Sequence, residues 1–289
     1  MLYSLKKYCG PQPRFDPRIL KDTIKEVSDV TIKLYPPLRR DVGPITEKQA
    51  INGDPLLPHY EPLEMKTSPG YPYVHTRPAD ASGKRYLFDG EPGDLRPTPQ
   101  LQHILDDKLS KLKSGIVREE GWIACLKSER LPKAKIEEGK TRTFCLGPVH
   151  STIAGRMYFT DLVAAMENRP TVGYSAVGID AGGPQWTELY QHLHSMSDEG
   201  FACDYTSYDG TIPAEVMMGV AEVANNWYTA YGNNPLEDRR ARNCIMEEII
   251  HNLEIVVNTL FRKHKGNPSG FFMTTICNSI AGAIYIRYT

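Results

Sequence analysis

The chain has 289 residues, enough for about two domains, and its 40% hydrophobic and 24% charged residues are ordinary for a globular protein and argue against a disordered, fibrous or membrane-embedded one. Its 34 basic and 35 acidic residues give a net charge of −1, so any electrostatic attraction for nucleic acid must come from a local segment. Six scattered cysteines, without a C-x-x-C pair, exclude a disulfide scaffold and a zinc site and favour a reducing compartment.

The first part of the chain is rich in proline and turns, and its sequence predicts the start of two helices. Asp16-Pro17 and Thr98-Pro99 each place a capping residue before a proline at the first helical position. The second helix carries an apolar stripe and is expected to stop near Gly115. Short strands are predicted over 122–126 and 141–146, with a charged loop between them.

From Val149 the pattern becomes largely helical. Helices are predicted from Val149, over 186–196, 213–231 and 235–252, and after the turn 266–270, with strands over 201–205 and 254–262. A boundary near 168–173 would separate the proline-rich part from a compact α/β unit.

Two aspartates follow the predicted strand 201–205. Asp204 would stand at the end of an otherwise apolar run, where a carboxylate on a rigid support suits a hard cation such as Mg²⁺, and Asp209 comes after the next turn. Two aspartates five residues apart also arise by chance in many proteins, and taken alone they more often mark a strand edge with a capped turn than a catalytic site.

The turn Asn267-Pro268-Ser269-Gly270 leads into the last predicted helix. Thr274 and Asn278 lie four residues apart on that helix and therefore share a face. These polar groups suit contacts with a nucleotide sugar and a template backbone, while the alternative is a helix start capped by Ser269.

A basic segment connects the strands predicted at 122–126 and 141–146. It has six cations, Lys127, Arg130, Lys133, Lys135, Lys140 and Arg142, against the three acids Glu129, Glu137 and Glu138, a net charge of +3. Such a hairpin suits phosphate binding, although an isolated charge run is more often a solvated loop. Residues 67–73, Thr-Ser-Pro-Gly-Tyr-Pro-Tyr, form a turn-rich segment that by itself indicates only a structural loop.

In combination, these segments are far more specific. The loop 67–73, the basic hairpin, the run Asp204-Tyr-Thr-Ser-Tyr-Asp209-Gly and Ser269-Gly270 with Thr274 and Asn278 resemble four motifs of picornavirus-like (Picornavirales-type) viral RNA-dependent RNA polymerases, in the same order. The resemblance covers roughly residues 45–289. It implies an α+β right-hand polymerase, with fingers over 1–170, a partial palm with inserted fingers helices over 171–289, and no thumb.

The resemblance also implies the functional residues. Asp204 would hold catalytic Mg²⁺, with Mn²⁺ as a possible substitute, and Asp209 and Asn278 would read the ribose. The remaining assignments are the triphosphate path at Lys127, Lys135 and Arg142, support of the nascent base pair by Ser269, Gly270 and Thr274, and template contact by Thr67 and Ser68. In such enzymes a primer 3′-hydroxyl attacks the α-phosphorus of a nucleoside triphosphate between two metal ions.

One family feature lies outside the sequence. The Gly-Asp-Asp turn is expected some tens of residues beyond Asn278, so the chain resembles a fragment that would be inactive alone. The expected partners are RNA template, primer, nucleoside triphosphates and other viral replication proteins, in host cytoplasm at membrane-associated replication complexes, with no transmembrane segment in this chain. Two other functions stay open: a non-catalytic RNA-binding module that uses the basic hairpin, and another palm polymerase such as a reverse transcriptase.

Overall fold

Helices dominate the computed structural model, which describes residues 2–289 and the side chains from Leu5 onward. The α-helices are α1 (Pro17–Leu34), α2 (Glu47–Asn52), α3 (Pro99–Lys113), α4 (Lys133–Glu137), α5 (Val149–Glu167), α6 (Gln185–Met196), α7 (Tyr208–Thr211), α8 (Ala214–Tyr231), α9 (Leu236–Ile250) and α10 (Thr274–Tyr288). Short 3₁₀ helices cover Leu2–Tyr8, Tyr73–His75 and Arg85–Leu87. Helices α1 and α3 begin at the two prolines predicted to start them. The Asp16 carboxylate caps α1, whereas Thr98 makes no side-chain cap.

Six short strands form two sheets. They are β1 (Phe88–Asp89), β2 (Arg96–Pro97), β3 (Gly121–Leu126), β4 (Thr143–Leu146), β5 (Leu253–Val256) and β6 (Thr259–Arg262). The larger sheet has the order β4-β3-β5-β6, in which β3 is antiparallel to β4 and parallel to β5. The mixed helix and sheet content agrees with the expected α+β class.

The main core lies among α1, α5, α8, α9 and α10. Fully buried side chains include Trp227 on α8 and Phe159 on α5. The Trp227 indole donates a hydrogen bond to the Tyr35 carbonyl at 2.8 Å, which fastens the end of α1 to α8. This core draws on residues from both sides of position 170. The division into two subdomains therefore stays a prediction.

Two strand predictions are wrong. Residues 201–205 form no strand and are exposed, with Phe201 86% exposed, since their backbone makes no hydrogen bond to another described segment. The strand predicted over 254–262 is instead the hairpin of β5 and β6. It reverses at Val257, whose φ of 55° lies in the left-handed region that a β-branched residue rarely adopts.

Helix α6 has an apolar stripe that no described residue covers. Trp186, Tyr190, Leu193 and Met196 recur at helical spacing and are each more than half exposed. No residue of α6 is buried.

Among the described residues, no helix has the length and apolar character needed to cross a membrane.

A buried ionic network joins α3, α5, α9 and the residue before β3. The Lys108 ammonium lies 2.6 Å from Glu248 Oε2 and 3.2 Å from Glu120 Oε1, with all three side chains almost fully buried. Glu120 also contacts His150 Nε2 at 3.1 Å, and Tyr73 bonds His150 Nδ1 at 2.8 Å. Burial opposes ionisation of Glu120, but the His150 hydrogen bond and the Lys108 charge lower its pKa to about 2. Lys108 is thus the buried cation in closest contact with both carboxylates, while the Arg118 guanidinium lies 4.0 Å from Glu120.

Replacing Lys108 with methionine should therefore destabilise the fold strongly. Removing the buried partner of an ion pair typically costs about 3–5 kcal/mol, and without Lys108 the only counter-charge within ion-pair distance in the described structure is Arg118, 4.0 Å from Glu120. Lys113→Met, on the exposed face of the same helix, should change the free energy of unfolding by less than about 0.5 kcal/mol. Urea denaturation of both variants measures the difference. Equal losses would contradict a structural role for the network.

Candidate functional site

The loop 266–270 is held between the turn that contains Asp209 and strand β4. The Gly266 amide donates to the Ile212 carbonyl at 2.8 Å, and the Asn267 amide donates to the Asp209 carbonyl at 2.7 Å. Gly266 has φ +87°, and a Cβ there would lie 2.5 Å from the Asp209 oxygen. A Cβ on Gly270 would lie 1.7 Å from the Cys145 carbonyl oxygen of β4. Glycine at both positions allows this close approach.

A cluster of buried polar side chains, Cys145, Glu254 and Lys263, lies next to the contact between Gly270 and β4. The Cys145 thiol donates to Glu254 Oε1 at 3.1 Å, and Lys263 Nζ lies 4.0 Å from the same oxygen, with Glu254 and Lys263 fully buried. Burial, followed by the charge of Glu254, raises the pKa of the Cys145 thiol. This thiol is therefore protonated and serves as a hydrogen-bond donor to Glu254.

Asp209 lies on α7 and forms an ion pair with Lys7. The Lys7 ammonium donates to Asp209 Oδ2, and the Lys7 side chain also packs against Gly210, where a Cβ would lie 2.4 Å from Lys7 Cγ. Asp209 Oδ1 makes no hydrogen bond with any residue the structure describes, and the side chain is 28% exposed. One carboxylate oxygen is thus held by the protein and the other is available.

Asp209 and Asn278 are connected through Asn267. Besides its backbone bond to Asp209, Asn267 donates from Nδ2 to Asn278 Oδ1 at 2.9 Å and to the Thr274 carbonyl at 2.9 Å. Asn267 is fully buried, whereas Asn278 is partly exposed. Asp209 and Asn278 make no direct hydrogen bond.

Thr274 and Ser269 differ in what they contact. The Thr274 hydroxyl is hydrogen-bonded to the Pro268 and Phe271 carbonyls at 2.8 and 2.6 Å, so it stabilises the loop from the first turn of α10. Ser269 is exposed and does not cap α10, which begins only at Thr274. The alternative of a Ser269 cap is therefore wrong.

The basic hairpin between β3 and β4 contains the short helix α4 where a loop was expected. Its three glutamates each pair with a cation, in the pairs Arg142–Glu129, Lys133–Glu137 and Lys140–Glu138. Lys127, Arg130 and Lys135 are exposed and have no ion pair within the described part of the chain. The positive charge that remains uncompensated is thus carried by these three residues.

Arg142 connects the hairpin electrostatically to Asp209. Its guanidinium Nε lies 3.0 Å from both Glu129 carboxylate oxygens. The hydrogen bond and charge of Glu129, and then the more distant charge of Asp209, raise the pKa of Arg142. Arg142 directly precedes β4, against which the loop 266–270 packs at Cys145, and the same loop is hydrogen-bonded to Asp209.

The loop 67–73 docks on the junction of β4 and α5. The Pro69 carbonyl accepts from the Val149 amide at 2.9 Å, and Gly70, at φ +73°, would place a Cβ 2.3 Å from the Gly147 carbonyl oxygen. Thr67 is exposed and donates to the Glu64 carbonyl at 3.0 Å, while the Ser68 hydroxyl accepts from the Gly70 amide at 3.3 Å. The contact between Tyr73 and His150 ties the end of this loop to the buried network.

Asp204 makes no hydrogen bond or ion pair with any residue that the structure describes, although the neighbouring Tyr205 ring stacks on Tyr208. Asp204 lies in the exposed segment 201–205, and across residues 2–289 no group of three His, Cys, Asp or Glu side chains is arranged to hold a metal ion. The residues present therefore do not form a complete Mg²⁺ site.

The structure thus brings together Asp209, Asn278 and the loop 266–270, with Arg142 nearby. Sequence reasoning missed two residues at this site, Lys7 and the bridging role of Asn267. The turn Gly-Asn-Pro-Ser-Gly identified Asn267 as part of a tight turn, but no local pattern distinguishes Lys7 from any other lysine near a chain terminus.

Comparison with protein families gives one extended match. The family model described as "Viral RNA-dependent RNA polymerase" matches residues 5–289. Among curated proteins, the chain is 33% identical over 276 residues to a genome polyprotein of Rice tungro spherical virus (strain A), covering 92% of the chain and 8% of that polyprotein. It is 30% identical over 295 residues to the RNA1 polyprotein of Cowpea mosaic virus (strain SB), covering 99% of the chain and 15% of the polyprotein.

Among solved structures, the chain is similar to one described as "Sicinivirus 3Dpol RNA dependent RNA polymerase". The TM-score is 0.79 and the sequence identity 29%, with 99% of this chain and 55% of that chain covered. The chain therefore spans about half the length of this solved structure and a small part of the curated polyproteins.

The close approach of Gly270 to β4 predicts the effect of adding a methyl group. Gly270→Ala should lower the free energy of unfolding by about 1–3 kcal/mol, because the added carbon would overlap a backbone oxygen that cannot rotate away. Gly200→Ala is the matched control, since a Cβ at Gly200 meets nothing within 4 Å. Thermal unfolding of both variants measures the difference, and a Gly270→Ala variant as stable as the control would contradict this packing.

Proposed function

Since the chain belongs to the viral RNA-dependent RNA polymerase family, we propose that it forms part of an enzyme that carries out template-directed nucleotidyl transfer on RNA during replication of a positive-strand RNA virus. The observation that carries the proposal is the link from Asp209 through Asn267 to Asn278. Arg142 directly precedes β4, on which the same loop 266–270 packs, and this supports a phosphate site next to the ribose site.

Ribose recognition is proposed for Asp209 and Asn278. A sugar hydroxyl both donates and accepts hydrogen bonds, so a carboxylate oxygen and an amide can both be satisfied by it. Each of these side chains keeps one polar atom that makes no hydrogen bond to the described part of the protein. Deoxyribonucleotides lack the 2′-hydroxyl, so this pair favours an RNA polymerase over a reverse transcriptase.

Triphosphate binding is proposed for Lys127, Lys135 and Arg142. Lys127 and Lys135 are exposed cations without an acidic partner among the described residues, so binding a phosphate breaks no existing ion pair. Arg142 would exchange Glu129 for a phosphate, since its planar guanidinium can bind either group through two parallel hydrogen bonds. The net positive charge of the hairpin supports this assignment.

The remaining residues would contact the nucleic acid. Ser269 and Gly270, supported by Thr274, stand at the exposed edge of the loop 266–270, where they would support the nascent base pair. Thr67 and Ser68 lie on the docked loop 67–73 and would contact the template strand at its entrance.

The divalent cation, Mg²⁺ with Mn²⁺ as a substitute, is proposed to bind Asp204. Carboxylate oxygens are suitable ligands, but one carboxylate in an exposed segment does not make a site. Such a cation would supply charge neutralisation for the reacting phosphate, and further carboxylates would have to come from outside the described residues.

Fingers over 1–170 and a partial palm over 171–289, without a thumb, are proposed as the subdomains. The unpaired segment 201–205 and the uncovered stripe on α6 support a palm whose sheet is incomplete within this chain. Membrane-associated replication complexes in host cytoplasm are the proposed setting, with other viral replication proteins as partners. The polyprotein relatives support such partners.

The first test is catalytic activity of a full-length polymerase that contains these residues. With primed RNA template, ribonucleotides and Mg²⁺ it should extend the primer, whereas residues 1–289 alone should make no product above a metal-free control. Asp204→Asn should abolish extension in the full-length enzyme, since it removes the charge that the metal requires. RNA binding without any extension by the wild type would favour a non-catalytic RNA-binding module.

A second test addresses the basic hairpin. Arg142→Ala in the full-length polymerase should raise the KM for nucleotides about tenfold or more while changing RNA affinity little, since a hydrogen bond to a charged group is lost. Arg142→Lys should restore only part of the effect, because an ammonium cannot form the two-pronged contact. Lys133→Ala, on the same hairpin but paired with Glu137, is the control. Weaker RNA binding with an unchanged KM would contradict the assignment.

A further inference from the structure

We propose that Asn267 is a positioning residue that sets the direction of the Asn278 amide and thereby gives the ribose site one donor and one acceptor. This inference rests on the proposed function and extends it to a buried residue that need not touch the nucleotide. It depends on a chain of hydrogen bonds that starts at a backbone carbonyl.

The direction of the Asn267 amide is determined first. Its Nδ2 lies 2.9 Å from the Thr274 carbonyl oxygen, which can only accept. Rotating this amide by 180° would place Oδ1 against that carbonyl, oxygen facing oxygen. The native orientation leaves Asn267 Oδ1 buried without a partner, so the two bonds from Nδ2 account for all the hydrogen bonding of this side chain.

The direction of the Asn278 amide follows. Asn267 Nδ2 is a donor and lies 2.9 Å from the Asn278 side chain, so the Asn278 atom that faces it must be the acceptor Oδ1. Asn278 Nδ2 then keeps its hydrogens for a ligand, and it makes no hydrogen bond to any described residue. Without Asn267, the two orientations of the Asn278 amide would be close in energy.

Lys7 holds the Asp209 carboxylate in place through an ion pair, although both carboxylate oxygens are acceptors in either orientation. Lys7 occupies Oδ2, and Oδ1 remains as an acceptor. Asn278 Nδ2 thus supplies a donor and Asp209 Oδ1 an acceptor, and a ribose hydroxyl that reaches both atoms would be satisfied in both its roles. Two acceptors would leave the oxygen of the hydroxyl unpaired.

The experiment compares kcat/KM for matched ribo- and deoxyribonucleotides in the full-length polymerase. Asn267→Leu keeps the same branched side chain of four heavy atoms and removes the donor, so the preference for ribonucleotides should fall about tenfold. Asn278→Asp retains the acceptor for Asn267 but replaces the free donor with an oxygen, and it should reduce the preference similarly. Asn278 is partly exposed, so Asn278→Asp should still fold if Asn267→Leu does not. It then tests whether the free atom of the Asn278 side chain must be a hydrogen-bond donor.

The control is Asn252→Leu. Asn252 is also buried, 1% exposed, and neither of its side-chain polar atoms has a partner, so its replacement should leave the ribonucleotide preference at the wild-type ratio. If Asn267 acts only through Asn278, adding Asn267→Leu to Asn278→Ala should change nothing further. The single variant Asn278→Ala and the double variant Asn267→Leu/Asn278→Ala should then have the same ratio of kcat/KM for ribonucleotides over deoxyribonucleotides.

An unchanged ratio in a folded Asn267→Leu, or an unchanged ratio in Asn278→Asp, would overturn the inference. So would a double variant whose loss equals the product of the two single losses, since Asn267 would then act independently of Asn278. Failure of the proposed function is distinguishable, because the wild-type polymerase itself would then make no product or would not prefer ribonucleotides.

Discussion

The candidate site depends on the packing of the loop 266–270 between α7 and β4. Two glycines make this approach possible, since a side-chain carbon at Gly266 or Gly270 would overlap a backbone oxygen of the opposing segment. The same loop places Asn267 where its backbone amide reaches Asp209 and its side chain reaches Asn278. One buried asparagine is thus hydrogen-bonded to two polar residues, Asp209 and Asn278, that lie about seventy positions apart in the sequence.

The support around this loop is unusually polar for a protein interior. Glu254, Lys263 and Cys145 lie beneath Gly270, and the separate network of Lys108, Glu120 and His150 reaches the docked loop 67–73. Buried charges contribute less to net stability than apolar residues of the same size, but they tolerate few alternative arrangements. The interior is therefore suited to holding loops in defined positions, whereas the segment that carries Asp204 has no comparable support.

Amphipathic helices were the most predictable part of the fold. Their apolar spacing and proline starts are local properties, so α1, α3, α8 and α9 begin within one residue of the predicted positions. Strands were less predictable, because a strand exists only where a second segment pairs with it. Residues 201–205 have a suitable composition and no partner, and the strand predicted over 254–262 reverses at Val257 into a hairpin.

By itself, the sequence determined the family and the order of its motifs. It also determined which residue types are available to bind a ribose, a triphosphate and a cation, because each motif is a short contiguous segment. Tertiary structure alone decided which of them meet: Lys7 pairs with Asp209, Asn267 bridges to Asn278, and Asp204 remains outside any cluster. The physical reason is that a hydrogen bond or ion pair acts over about 3 Å. Sequence spacing cannot predict which distant side chains come that close once the chain has folded.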